Sequence, residues 1–169
     1  DRVRALPGVE RASFGSRVPL GFIGTNSSNL IVEGYQPAEG DRMTVSVTRV
    51  GPGYFGTLKI PIIEGRELTQ GDTRERAGVA VITEAMARRF WPDGNAIGGR
   101  FFFGRPVEGR DPQYITVVGV ARDTKQRTMN EAAQSVVYIP ILQFFEPDTI
   151  LHVRTAGEPG ALAGELQRV

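Results

Sequence analysis

Apolar residues fall along this chain in short bursts, and glycine or proline separates nearly every pair of bursts. Residues 43–50 alternate, with Met43, Val45 and Val47 on one side and Thr44, Ser46 and Thr48 on the other, the period of a half-buried strand. Residues 78–82 are continuously apolar, which predicts a strand covered on both faces. In 113–121, Val117, Val118 and Val120 place apolar groups on both faces, so this strand should also be central. Residues 9–14, 30–32, 101–103, 136–139 and 150–155 read as further strands, and Ile62-Ile63 as a short edge segment. In the last full strand, Leu151 and Val153 alternate against His152 and Arg154, which puts the histidine on a solvent-facing side.

Helical signals are fewer. Residues 84–91 carry Met86 with Phe90 and Ala87 with Trp91 at i, i+4 spacing, and Pro92 ends the helix. Thr83 is placed to cap it, with Glu84 in the first turn and Arg88-Arg89 in the last, as the helix dipole favours. Residues 53–58 have room for one or two turns before Pro61. Pro159 opens a final helix with Leu162, Leu166 and Val169 on its buried face. At the front, Val3 and Leu6 share a helix face that Pro7-Gly8 stops. Both ends break off inside helical patterns, so the chain is expected to be a piece of a longer protein. Residues 15–30, 34–41 and 69–77 read as loops or turns.

Composition narrows the function classes more than it names one. An apolar share of 40% and a charged share of 23%, over 169 residues, can bury one core or two small ones. A net charge of +1 gives no general pull toward nucleic acid or anionic lipid. Cysteine is absent, which removes disulfides, thiol nucleophiles and thiolate metal sites. No apolar run approaches the roughly 20 residues of a membrane-spanning helix, and no stretch reads as a signal peptide.

The candidate chemistry is thin. Gly51-x-Gly53-x-x-Gly56 matches a dinucleotide fingerprint and follows a strand, but Pro61 leaves no long helix to receive a pyrophosphate. His152 is the one histidine, so a triad or imidazole metal site would have to use it. Glu64, Glu67, Asp72 and Glu75 lack calcium-loop spacing and read as solvated loop charge. Arg88-Arg89-Phe90-Trp91 and Phe101-Phe102-Phe103 could stack bases or ligands, but their spacing fits core packing. Asn26-Ser27-Ser28 matches a glycosylation sequon, a weak pattern. These residues point to no catalytic, cofactor-binding or metal-ligating set. The layout, helix and strand at the front, strand and helix at the back, suits an α/β layer built from both termini with a second small unit inserted.

Read in order, Val50-Gly51-Pro52-Gly53-Tyr54-Phe55-Gly56-Thr57-Leu58, Glu64-Gly65-Arg66-Glu67-Leu68, Val81-Ile82-Thr83-Glu84-Ala85-Met86-Ala87-Arg88-Arg89-Phe90-Trp91-Pro92, Ile97-Gly98, Val117-Val118-Gly119-Val120 and Val137-Tyr138-Ile139-Pro140 resemble one known block. It is the MacB-like periplasmic core domain of bacterial ABC transporter permeases, most like the duplicated permeases that lack a fused ATPase. The resemblance spans nearly the whole chain and is strongest over 50–140. It implies an α+β, two-lobed module: a porter-like lobe from 1–49 and 147–169, and an inserted sabre-like lobe from 50–146. It implies a domain on the periplasmic side of the inner membrane with no catalytic residues, cofactor or metal. The implied partners are the permease's transmembrane helices, a cytoplasmic ATPase, a second permease, and a periplasmic adaptor or substrate, but no nucleic acid. The expected role is to pass ATP-driven motion outward. The alternative is a periplasmic solute-binding domain that captures a ligand between its lobes, and a small hydrolase or nucleotide enzyme is the third class.

Overall fold

The computed structural model describes residues 2–18, 26–107, 109, 111–125 and 130–166. A 3-10 turn at Val3–Ala5 leads into β1 (Val9–Gly15), β2 (Ser27–Val32) and β3 (Thr44–Val50). Then come α1 (Tyr54–Leu58), β4 (Ile62–Gly65), β5 (Gly78–Thr83), α2 (Glu84–Phe90), β6 (Arg100–Phe103) and β7 (Ile115–Ala121). The chain finishes with β8 (Val136–Pro140), β9 (Ile150–Thr155) and α3 (Pro159–Leu166). This is a mixed α and β fold, mostly sheet with short helices.

The nine strands among the described residues form one sheet, eight of them in the order β2-β6-β7-β5-β8-β3-β1-β9, and β2 also pairs with β3. That extra pairing closes six of the strands into a ring. The β3–β8 and β5–β7 pairs are parallel and the rest are antiparallel. β4 pairs with β7 alone, as an edge segment should.

Alternation explains why the ring has two cores. Ala80 and Ile82 of β5 and Val137 and Ile139 of β8 enter a first cluster, which draws on all six ring strands and on Met86 and Phe90 of α2. Val79 and Val81, with Val136 and Tyr138, point to the opposite face. There Tyr54 and Phe55 of α1 and Ile60 and Leu68 cover them. So β5 is buried on both faces, as its unbroken apolar run predicts. The aromatic run on β6 is core as well, with Phe101 and Phe102 buried. β7 is paired along both edges, by β5 on one side and by β6 and β4 on the other. A Cβ at Gly119 of β7 would overlap the Arg66 carbonyl, so only glycine lets the β4 segment close on this strand.

β1 and β9 stand outside this ring as an arm. β1 pairs with β3 at the single position Gly15↔Val50. With β9 it pairs from Val9↔Thr155 to Gly15↔Ile150. Every residue of β9 is only half-buried. The beginning of β1 lies beside the end of β9, and the Ala156 N–H donates to the Gly8 carbonyl at 3.0 Å.

Several local expectations change. The front of the chain is a 3-10 turn rather than an amphipathic helix among the described residues, with Val3 and Leu6 half-buried. β2 starts at Ser27, three residues before the expected strand, because Ser27, Ser28 and Asn29 pair with Ser46, Val45 and Thr44. Apolar pattern could not mark that pairing, since these side chains are polar. Thr83 occupies the N-cap position of α2, but its hydroxyl makes no cap. It donates to the Gln134 carbonyl at 2.9 Å and accepts from the Val136 N–H. Asp123 caps the helix instead, accepting from the Ala85 N–H at 2.8 Å, while the Asp123 N–H donates to Glu84. In α3, Leu162 is buried as expected. The Leu166 side chain and Val169 lie outside the described residues, as do positions 19–25 of the expected loop.

Candidate functional site

The glycine fingerprint is occupied by the protein's own arginines. Gly53 takes φ +79° ahead of α1, a helix of five residues. Arg4 donates to the Pro52 carbonyl and, from two nitrogens, to Ala12 O at 2.8 and 3.0 Å. Arg11 lies so close over Gly56 that a Cβ there would be 2.8 Å from its guanidinium. Gly56 makes room for Arg11, Gly53 supplies the positive φ and Gly51 lets Phe14 and Ser13 approach, and the short helix offers no seat for a pyrophosphate.

His152 does not face solvent as its strand pattern suggests. Its ring packs edge-on against Tyr54 at 5.5 Å, because α1 folds back over the arm. Its Nε2 is 2.9 Å from the Arg17 carbonyl, which can only accept, so Nε2 carries a proton and donates. Burial pushes the imidazole below its usual pKa, partly offset by that carbonyl. The Tyr54 phenol is pushed well above its ordinary range by burial and by neighbouring Tyr138.

Asp72 is a second correction. It is buried, whereas Glu64, Glu67 and Glu75 are exposed. Burial alone would raise its pKa, but the Arg66 fork, at 2.8 and 2.9 Å, and the Thr69 N–H and hydroxyl together hold it below the usual range. It ties down the turn after β4. Among the described residues, no three acidic or histidine side chains gather to hold a metal.

Arg88-Arg89-Phe90-Trp91 splits by face. Phe90 is core, meeting Tyr35 edge-on, and Arg88 pairs with Asp123 at 2.7 Å. Trp91 is half-buried, against Gly99.

The concave feature that sequence reasoning missed is a groove of about 1160 Å³ at one end of β6 and β7. Arg74, Arg76 and Arg105 line it, together with Phe103, Tyr114 and Phe144. Gln143 builds it. This buried amide accepts from the Val79 N–H and donates to the Thr73 and Ala77 carbonyls, pinning the loop that carries Arg74 and Arg76 to the turn after β8. Tyr114 is held by Phe102 edge-on at 5.6 Å and by the Arg100 guanidinium at 4.8 Å from its ring centre. The arginines come from loops about thirty positions apart, and only strand pairing unites them. The available signal was two arginine-bearing loops, Arg74 and Arg76 in one and Arg105 in the other.

A family model for the MacB-like periplasmic core domain matches residues 2–168. This chain belongs to that family. The MacB-like core domain is also seen in the fold: the periplasmic region of MacB from Actinobacillus actinomycetemcomitans aligns over 99% of this chain and 68% of its own, at TM-score 0.66 and 14% identity. The extracellular domain of the noncanonic ABC-type transporter YknZ from Gram-positive bacteria aligns over 99% and 73%, at TM-score 0.59 and 16% identity. The uncharacterized ABC transporter permease YvrN of Bacillus subtilis (strain 168) is 29% identical over 130 residues. That match takes in 69% of this chain but only 30% of the relative, so this core domain is much shorter than the protein it resembles. Among the described residues no helix is long and apolar enough to cross a membrane.

Proposed function

We propose that this chain is the extracytoplasmic domain of an ABC transporter permease, and that it transmits motion rather than performing chemistry. A cytoplasmic ATPase would drive the transmembrane helices of a permease dimer. The domain would carry the resulting displacement to a substrate or adaptor outside the membrane.

The observation that supports this reading is where the terminal segments lie. Residues 8 and 9 run beside 155 and 156, and Gly8 lies close to Leu162 of α3. Both segments meet at the arm, so a pull on either reaches β1 and β9 together. The β1–β9 arm would then move against the ring about the seam where β1 touches β3, while β2 and β3, which the 1–49 lobe proposed from sequence also includes, stay with the ring strands of 50–146. Permease relatives lend the membrane setting. The test is a distance. In the parent permease with its ATPase in vesicles, spin labels at Glu10 on β1 and Glu64 on β4 should report a changed separation when ATP is added. A separation that stays fixed through the nucleotide cycle would remove the coupling role.

The expected alternative is a ligand held between two lobes; the groove, lined wholly from within 50–146, instead favours solute capture within that part of the domain. Ligand binding to this chain without any ATPase would support it.

A further inference from the structure

The groove at the end of β6 and β7 combines two properties that rarely meet on an ordinary surface. Its apolar part is aromatic: Phe103, Tyr114 and Phe144 present ring surface to the cavity. Val107 on its lip is 61% exposed. Its polar part is cationic. Arg74, Arg76 and Arg105 are all exposed, and among the described residues none of their guanidinium groups makes a hydrogen bond or salt bridge, although Glu75 interacts electrostatically with Arg74. Four arginines elsewhere are held in ion pairs, Arg66 on Asp72, Arg88 on Asp123, Arg100 on Glu33 and Arg49 on Glu146, whereas Arg2, Arg42 and Arg122 are scattered singly over the surface. Asp111 is the one acidic residue among the described lining. With Glu75 beside Arg74 counted along with Asp111, three guanidinium groups face two carboxylates, a local excess of one positive charge.

We infer that this groove binds an amphiphilic anion, a molecule with a phosphate or carboxylate head and an apolar body. Guanidinium forks suit such heads, since two N–H donors match two oxygens. Rings beside them desolvate the apolar body and strengthen the charge contacts. The volume is near the upper end of small-molecule sites, so a ligand with one or two short chains fits better than a bare ion. The support is built into the fold, because Gln143 fixes the Arg74 and Arg76 loop whether or not anything is bound. This site does not depend on the coupling role. It belongs to the chain itself and would persist if no motion were transmitted.

The test is calorimetric titration of this chain with monomeric dihexanoyl phosphatidic acid. Saturable one-to-one binding is expected. Substituting Arg74→Gln, Arg76→Gln and Arg105→Gln together should weaken it about tenfold or more. A control triple at exposed arginines elsewhere, Arg2→Gln, Arg42→Gln and Arg122→Gln, should stay within about twofold. Dihexanoyl phosphatidylcholine should bind much more weakly, since its head has no net charge, and inorganic phosphate alone weaker still. Two further arms separate the sources of the head group. Preference for phosphatidylglycerol vesicles over the monomeric lipid points to a membrane surface, and the reverse points to a free amphiphile. Either supports the site if the groove triple abolishes it and the control triple does not. The inference is overturned by three outcomes: no binding of any probe, equal binding of the choline lipid, or equal loss in both triples. The last would mean diffuse surface charge. All variants sit at exposed positions, and circular dichroism should confirm that each is folded.

Discussion

The six-stranded ring and the β1–β9 arm are neighbours in one sheet, yet they are held by different forces. In the ring, Leu30, Ala80, Ile82, Phe101, Val117 and Val137 lose all contact with water. In the arm, Ala12 is buried but all of β9 remains half-exposed. What fastens the arm is directional. Arg4 donates to Ala12 O, Arg154 to Thr57 O, Ser13 to the Gly51 and Pro52 carbonyls, and His152 to Arg17 O. Close-packed cores resist deformation, because any displacement opens voids with no partner atoms. Apart from the buried Ser13 bond to Gly51, these fastening hydrogen bonds are partly hydrated, and such bonds have net energies of only about 1 kcal/mol. One sheet therefore contains a stiff part and a part that can be repositioned.

The sharpest way to break the contrast is to damage the ring. Phe101→Ala should cost about 3–5 kcal/mol and lower the midpoint of denaturant unfolding for the whole chain, with an unchanged slope. Loss confined to β6, with the other strands as stable as before, would show the ring is no cooperative unit. A smaller blow to the same side is Asp72→Asn. It leaves the Arg66 fork facing a neutral amide and should cost about 1.5–3 kcal/mol. Because Asp72 titrates below its usual range when folded, its contribution is present above the unfolded carboxylate pKa and fades as pH falls through the folded one. Acid titrations of the parent and of Asp72→Asn should therefore converge at low pH. Curves that stay parallel would mean Asp72 stabilises nothing by its charge.

The same division explains what could be read from the sequence. β5 and β7 were legible because burial on both faces demands an apolar residue at almost every position, which no local exception can hide. α2 was legible from the Met86–Phe90 spacing and Pro92. Pairing partners were not. Nothing in residues 44–50 or 136–140 says that these strands lie side by side and parallel. The polar start of β2, the buried Asp72 and the groove share one cause. Each depends on a residue brought from elsewhere: Thr44, Val45 and Ser46 for β2, the Arg66 fork for Asp72, Gln143 for the arginine loop. The arm misled for a related reason. β9 alternates as if one face met water, but α1 folds over it and puts Tyr54 against His152.

A milder test loosens the arm and leaves the ring alone. Arg154→Met keeps the aliphatic stem but removes the donors to the Thr57 carbonyl. The loss should be about 1 kcal/mol, seen as roughly fivefold faster amide exchange along β1 and β9 with β5 and β7 unchanged. Equal acceleration in β5 would mean that arm and ring open together, and the contrast would collapse.

The smallest effect expected is on the same seam and is set by pH. Burial favours neutral His152, so its folded pKa lies below the ordinary imidazole value. An unfolded or detached arm then takes up the proton first as pH falls. Stabilisation from this residue is complete above about pH 6.5 and declines as pH drops through the folded pKa. Amide exchange in β9, corrected for the intrinsic pH dependence of exchange, should quicken between pH 7.5 and 5.5 while β5 stays protected. His152→Gln, which can still donate to the Arg17 carbonyl, should remove that pH dependence. If the variant keeps it, some other group titrates at the seam, and the attachment of the arm does not run through this histidine.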